Sequence, residues 1–367
     1  MKIQDTRNNN QTNSKFKIRN SDFGHWSLVI GYSLMIVSCF LVIAPPVFAA
    51  GQAGLDIAVL KAGVGARPLG MGGAFTAIAD NADAPYWNPA GLSQIKQQEI
   101  NTMQTKLSTD TDHYYISYVR PLGRGTLGIS WIQVGIGTIT QTSATLDAWN
   151  EVQTINVFSY FSNAYMLSYG LPLNPNISVG MTAKYLTSDM FQIAGGQAYG
   201  YSITPGLLLV LRSAVESGES LRVGSQASAQ RQTPYVSPDA TTQRPMLALG
   251  IKIDELLNEQ SWGTGTTEKV PAKARLGVAI RPAKGLLNNS TLALDLAQTL
   301  KSNYAAELSA GYEWSKDGLS LRAGYTESVF TAGAGFKSGV AQIDYAYVQQ
   351  TSLSKENVHR ISLSGKW

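Results

Sequence analysis

The stretch Tyr304-Ala305-Ala306-Glu307-Leu308-Ser309-Ala310-Gly311-Tyr312-Glu313-Trp314 decides the fold. Its even positions are apolar, whereas Glu307, Ser309, Gly311 and Glu313 occupy odd ones. Successive side chains of a strand point to opposite faces, so this is a strand with one apolar and one polar face. The same alternation returns in Ala274, Leu276, Val278 and Ile280 against Lys273, Arg275, Gly277 and Arg281. It returns again in Leu319, Leu321, Ala323 and Tyr325 against Ser320, Arg322 and Thr326, and in Ile361, Leu363 and Trp367 against Arg360, Ser362, Ser364 and Lys366. Strands of about 10 residues ending in Tyr or Trp fit an all-β transmembrane barrel with an aromatic girdle and a polar lumen.

Extended along the chain, this reading predicts antiparallel strands at 97–105, 112–120, 124–135, 163–171, 176–187, 198–212, 244–254, 271–281, 289–298, 304–314, 318–326, 329–337, 339–348 and 358–367. They number fourteen, and bacterial single-chain barrels use an even number. A soluble sandwich or propeller would bury the apolar face against a second sheet, and periodicity alone does not separate the two. An export signal, the terminal Trp367 and the alternation of short with long connections favour the membrane.

Composition agrees. Of 367 residues 44% are apolar and only 15% charged, below the roughly 25% of soluble domains. No stretch after residue 50 offers the 18 apolar residues of a spanning helix. The net charge of +4 is concentrated in residues 1–49, which hold five Lys and Arg against two Asp, so the remainder carries no basic footprint for nucleic acid.

Residues 1–49 read as a signal peptide: a long polar, basic start, an apolar run from Trp26 to Ile43, then Val47 and Ala49 at the positions a signal peptidase inspects. An uncleaved anchor helix is the competing reading. Removal of the signal would carry away Cys39, the chain's one cysteine, leaving neither disulfide nor thiolate chemistry.

Connections sort by parity. Pro121–Gly123, Leu173–Pro175, Pro282–Asn288, Ser315–Gly318 and Ser338–Gly339 are short, whereas 136–162, 255–270 and 349–357 are long. With both termini inside, short turns face the periplasm and long loops face outward. Ser213–Gln243 is long, rich in Ser, Gln and Thr, and falls on the short-turn side, so either it is a periplasmic insertion or the strand count slips by one there.

Between signal and first strand, residues 50–95 lack alternation. Leu60–Leu92 is rich in small residues, with Gly72–Ala79 a possible short helix. A fourteen-stranded barrel leaves a lumen wider than its own side chains fill, so this segment is expected to plug it, with the barrel proper at 96–367. Pro89 fixes its φ and holds Asn88 extended, so Asn88, Pro89, Ala90 and Gly91 should form a rigid turn against the wall and are the candidate gating residues.

Gly65-Ala66-Arg67-Pro68-Leu69-Gly70-Met71-Gly72-Gly73-Ala74-Phe75, then Ala79-Asp80-Asn81-Ala82 and Trp87-Asn88-Pro89-Ala90-Gly91-Leu92, resemble the FadL-like outer-membrane superfamily, and more closely its PorV/PorQ-like branch. Leu321–Tyr325, Ile343–Tyr347 and His359–Ser364 extend the likeness, whereas 136–245 carries no such motif. The resemblance implies a fourteen-stranded barrel whose N-terminal hatch holds the Asn-Pro-Ala turn. It implies passage of hydrophobic compounds in FadL-type members and service to protein secretion in PorV-type members. It also makes the strand ending at Trp367 an assembly signal, read by the barrel assembly machinery.

Chemistry is sparse. The glycine runs 63–65 and 70–73 follow no buried strand and precede no Gly-Lys-Ser/Thr, so they are packing residues rather than phosphate cradles. His113 and Ser117 share a strand face about 13 Å apart at roughly 3.3 Å per residue, too far for a nucleophile and its base. No enzyme activity, metal or other cofactor is expected. Lys273, Arg275, Glu307, Arg322, Asp344 and Arg360 should face the lumen, with Arg67 and Asp80 as partners in the hatch, filling it by pairing or lining a pore. The leading expectation is a channel for hydrophobic compounds in the outer membrane of a diderm bacterium, in contact with lipid and apolar small molecules and not nucleic acid. The competing one is a secretion or envelope-assembly component that binds exported proteins.

Overall fold

The computed structural model describes residues 58–108, 110–146, 149–212, 246–282, 289–301, 305–326, 329–349 and 357–367. The signal peptide 1–49, the insertion 213–243, Tyr304 and most of the 349–357 connection lie outside the described residues.

The described residues hold sixteen strands. They are β1 Glu99–Ser108, β2 Thr111–Leu122, β3 Gly125–Leu146, β4 Val152–Pro172, β5 Ile177–Phe191, β6 Gln197–Arg212, β7 Met246–Asp254, β8 Leu257–Trp262, β9 Thr267–Glu268, β10 Lys273–Arg281, β11 Ser290–Thr299, β12 Glu307–Lys316, β13 Leu319–Thr326, β14 Val329–Ser338, β15 Ala341–Val348 and β16 Val358–Lys366. Neighbours pair antiparallel, β1 pairs with β16 and β6 with β7, so fourteen strands close a barrel and leave β8 and β9 as an added hairpin. Closure matters physically because lipid cannot satisfy the backbone of a free strand edge.

Alternation sets the two faces. Leu321 is 49% exposed while Arg322 beside it is 5% exposed, and the outward row continues through Ile343, Ile361, Leu363, Leu308 and Leu294. Tyr165, Tyr185, Tyr199, Tyr201 and Tyr325 stand among these outward side chains. A closed wall with an apolar exterior of this kind is that of an outer-membrane barrel. Trp367 ends the last strand beside β1, exchanging backbone hydrogen bonds of 3.0 and 3.1 Å with Gln98 and stacking on Tyr118 at 6.4 Å.

Two connections differ from the sequence reading. Residues 136–162, expected as a loop, are mostly strand, because β3 and β4 continue as a two-stranded ribbon beyond their neighbours. The ribbon is exposed on both faces, so it needs no apolar alternation, and Thr138, Ile139, Thr140, Thr142 and Thr145 favour extended backbone. Residues 255–270 hold the β8–β9 hairpin, with β8 paired to the upper part of β6. Glu255, at φ 55°, is the bend between β7 and β8.

Among the described residues, the turns at the end where the chain terminates are tight; 283–288 of the expected Pro282–Asn288 turn lie outside the described residues. Asp317 and Gly318 both have positive φ, the signature of a two-residue hairpin turn that matches strand twist. This end is called the turn end below, and the opposite one the loop end.

Candidate functional site: the segment inside the barrel

Residues 58–95 form no strand. They make short helices at Ala58–Lys61, Ala66–Gly70 and Ala84–Trp87 and a 3-10 turn at Pro89–Gln94. Gly72–Ala79 is not helical as expected, because Gly72 and Gly73 take left-handed φ of 66° and 76° directly after the Ala66–Gly70 helix. The core packs around this segment: Met71, Phe75, Ile78, Ala90 and Leu92 are fully buried, and Trp87 anchors through Nε1 to the Val64 carbonyl at 2.9 Å.

The segment touches opposite walls. On one side Ala66 N donates to Ser362 Oγ at 2.8 Å, and Thr331 Oγ1 donates to the Gly70 carbonyl at 3.1 Å. On the other, Thr182 Oγ1 donates to the Pro85 carbonyl at 2.9 Å and Lys252 Nζ to that of Tyr86 at 2.7 Å. Asp295 accepts from the amides of Phe75 and Thr76 at 3.1 and 3.0 Å. These contacts reach inward-facing side chains from around the barrel, so the segment lies across the lumen.

The wall yields to it through missing side chains. Gly170 pairs with Gly180 and Gly180 with Gly206, making a smooth patch under the Asn88-Pro89-Ala90 turn. A Cβ on Gly206 would lie under 3.0 Å from Asn88 Oδ1, and one on Gly324, across the barrel, under 3.0 Å from Gly72 N. Contact on both sides leaves no lateral slack.

Asn88 caps the 3-10 turn as its sequence position suggests. Extended at φ −164°, it accepts from Ala90 N at 3.1 Å through Oδ1 and donates through Nδ2 to the carbonyls of Thr76 at 2.8 Å and Leu207 at 3.2 Å. One fully buried amide thus ties the turn to itself, to the rest of the segment and to β6. Pro89, Ala90 and Gly91 are buried beside it.

The charges singled out from the sequence are buried or half-buried, and most are paired. At the turn end Arg67 donates to Asp80 at 2.5 Å and to both oxygens of Glu313 at 2.9 and 2.8 Å. Arg322 bonds Glu313 and Asp344, each at 2.7 Å, and Arg281 approaches Asp80 to 3.6 Å. Burial pushes the Asp80 carboxyl upward, but Arg67 and Arg281 outweigh it and hold the group below its ordinary value. At the loop end Lys273 pairs Glu307 at 2.8 Å, and Arg275 lies 3.9 Å from Asp254. Arg360 donates to the Ala62 and Gly63 carbonyls at 2.8 and 3.3 Å.

Several buried or half-buried charged side chains escaped the sequence reading. Asp295, Lys252 and Asp254 sit at ordinary strand positions, Asp83 precedes the Ala84–Trp87 helix and Glu255 makes the β7–β8 bend, and nothing in their local pattern distinguishes them from solvated polar residues. Glu255 receives bonds from Lys184 and Ser202. Asp83 is fully buried, and burial raises its carboxyl to about 6 against hydrogen bonds from Asn101 and Asn81 that favour the anion. The His113 and Ser117 pair shares an inward face, but Ser117 Oγ is committed to the Ala82 carbonyl at 2.6 Å and to Ser130 at 2.8 Å.

Two cavities approach the segment from opposite ends. One of about 270 Å³ opens at the loop end, where Asp254 ends β7 and Lys273 and Glu307 begin β10 and β12. Leu69, Gly72 and Gly73 contribute to its lining. The other, about 470 Å³, opens at the turn end between Arg67, Glu313, Arg322, Ser320, Lys337 and Gln342. Of the stretch Arg67–Gly73, Leu69, Gly72 and Gly73 thus line the loop-end cavity and Arg67 lines the turn-end one.

Residues 50–215 match an uncharacterised protein family, UPF0164. No curated protein matches the chain. Among solved structures, the toluene transporter TbuX of Ralstonia pickettii is 13% identical, with a TM-score of 0.51 over 83% of this chain and 98% of its own. The toluene transporter TodX of Pseudomonas putida is 12% identical, with a TM-score of 0.54 over 83% and 99%. At such identities the likeness is one of fold: this chain shares the barrel of the two toluene transporters.

Proposed function

We propose that the protein is a FadL-like outer-membrane channel for apolar small molecules, closed by the septum Arg67–Gly73 and opened by its displacement. The observation that carries this reading is the pair of cavities that stop at the same short stretch from opposite ends. The segment is joined to the wall by side-chain contacts and contributes no strand, so it can shift without unzipping the sheet. Arg67 is the latch, since its guanidinium ties the septum to Glu313 of β12. The Asn88-Pro89-Ala90 turn is the fixed end about which the septum moves, because its amide joins it to β6. Support for the substrate class comes from the shared fold with two toluene transporters.

The test is uptake of toluene by cells that carry the protein, compared with cells carrying Arg67→Ala or a deletion of residues 60–92. Faster uptake through an inserted, heat-modifiable barrel is the expected result. Unchanged uptake of every apolar compound, with secretion of exported proteins impaired instead, would replace the channel by the PorV-like secretion role.

A further inference from the structure

We propose that the loop-end cavity is a binding site for a compact organic carboxylate, gripped by Arg360 and Arg275. Six cations and three carboxylates line this cavity of about 270 Å³. Each carboxylate is claimed by a lysine: Glu255 by Lys184, Asp254 by Lys252 at 2.8 Å and Glu307 by Lys273 at 2.8 Å. Arg275 is left to share Asp254 at 3.9 Å, and Arg360 takes part in none of these pairs.

Arg360 is the clearer case of the two. It is 7% exposed, and among the described residues no carboxylate lies within 4.0 Å of it. Its Nη1 is used on two carbonyls, but its buried Nε has no acceptor among the described residues. Arg275 lines the same cavity, and its Nε likewise lacks a hydrogen-bond acceptor, since Asp254 stands 3.9 Å away. Unsatisfied buried donors are costly, so two arginines that line one cavity, each with an Nε lacking an acceptor, mark a place where an anion would complete the structure once the guanidinium groups turn toward it. A planar carboxylate matches the guanidinium fork and gains from the low dielectric around it.

The rest of the lining limits the molecule that bears the carboxylate. Leu60, Leu69, Trp87, Val270 and Val348 offer apolar surface beside the arginines. The volume falls just below the roughly 300–1,000 Å³ of pockets that hold drug-sized ligands, which suits one ring or a short chain and excludes a long alkyl tail. This site needs no movement of the septum, and it stands whether or not apolar compounds pass.

The experiment uses the mature full-length barrel purified in detergent, titrated calorimetrically with benzoate, benzamide, inorganic phosphate and hexadecanoate. Saturable benzoate binding, at least about tenfold tighter than benzamide as a charge-assisted contact requires, is the expected result. Arg275→Gln and Arg360→Lys should each weaken benzoate by about tenfold while the barrel remains heat-modifiable. Because Arg360 also holds Ala62 and Gly63, Arg275→Lys serves as the variant that keeps charge and loses only the fork; it too should weaken binding. Equal affinity for benzoate and benzamide, or benzoate affinity unchanged in both Arg275 variants, would overturn the proposal. Phosphate bound as tightly as benzoate would overturn its organic character, and tighter hexadecanoate its compactness. Toluene uptake is measured separately, so failure here and failure of the channel reading remain distinguishable.

Discussion

Arg67 and Glu313, 246 positions apart in the chain, meet in a two-pronged ion pair, Nε to Oε1 at 2.9 Å and Nη2 to Oε2 at 2.8 Å. One belongs to the segment across the lumen and the other to β12 of the wall. Removing Arg67 leaves Glu313 buried with Arg322 as its remaining cation, and breaking a buried pair from one side typically costs 3–5 kcal/mol. Since Glu313 keeps one partner, Arg67→Ala should destabilise by about 3 kcal/mol in a denaturant titration of the refolded barrel, at the lower edge of that range. Arg67→Lys should recover only part of the loss, since an ammonium cannot make the fork. Full recovery by Lys would show that charge alone holds the septum.

The two faces of β13 should respond differently. Leu321 points to lipid, so Leu321→Arg should cost about 2–4 kcal/mol if it lies near the midplane. Ser320 lines the turn-end cavity, where Ser320→Lys should change stability by roughly 0.5 kcal/mol or less. Equal costs on the two faces, measured by the same titration, would mean that the apolar row does not meet lipid.

Trp367 bonds Gln98 at the point where β16 closes on β1. Its deletion should lower the fraction of chain recovered as heat-modifiable barrel from outer membranes. Full recovery would show that the terminal aromatic is not the assembly signal.

The barrel was legible because lipid on one side and a filled lumen on the other impose a strict two-residue rule, which Leu321 and Arg322 obey. For that reason twelve of the fourteen strands emerge within a few residues of their predicted positions, while β3 and β4 run about eleven residues further toward the loop end, where the rule stops applying. The β3–β4 ribbon is wet on both faces, so Thr140 and Thr142 carry no alternation and the region reads as loop. The lumen charges could be placed on a face but not paired, since Arg67 finds Glu313 through closure of the whole barrel rather than through spacing. Asp83 and Asp295 were invisible for a related reason: each owes its role to backbone amides or asparagines brought to it by the fold.

Gly206 tests how tightly the segment seats. Its missing Cβ makes room for Asn88 Oδ1, so Gly206→Ala should push the turn from the wall at a cost of about 1–3 kcal/mol, the usual range for overpacking. Asn88→Ala removes the hydrogen bonds to Thr76 and Leu207 without a clash. The two should differ in kind: Gly206→Ala should increase protease sensitivity of residues 60–92 in the inserted barrel more than Asn88→Ala does. If neither exposes the segment to protease, the Asn88 turn is not what holds it.

Asp83 gives the segment a pH dependence of definite sign. Burial lifts its carboxyl from the ordinary 3.8 to about 6, so between those values the folded state binds a proton that the unfolded chain has released. Stability from this group is therefore fully present below about pH 4, declines as pH rises to about 6, and is flat beyond. At 1.36 kcal/mol per pH unit the window spans about 3 kcal/mol. Asp83→Asn cannot titrate, yet its one carbonyl oxygen still accepts a bond from Asn101 or Asn81. Denaturation midpoints of the two proteins, taken from pH 4 to 8, should thus diverge at the acid end, with the wild type gaining on the variant as pH falls through 6. A difference that stays constant across the range would mean that Asp83 remains ionised throughout, held as an anion by its two asparagines rather than neutralised by burial.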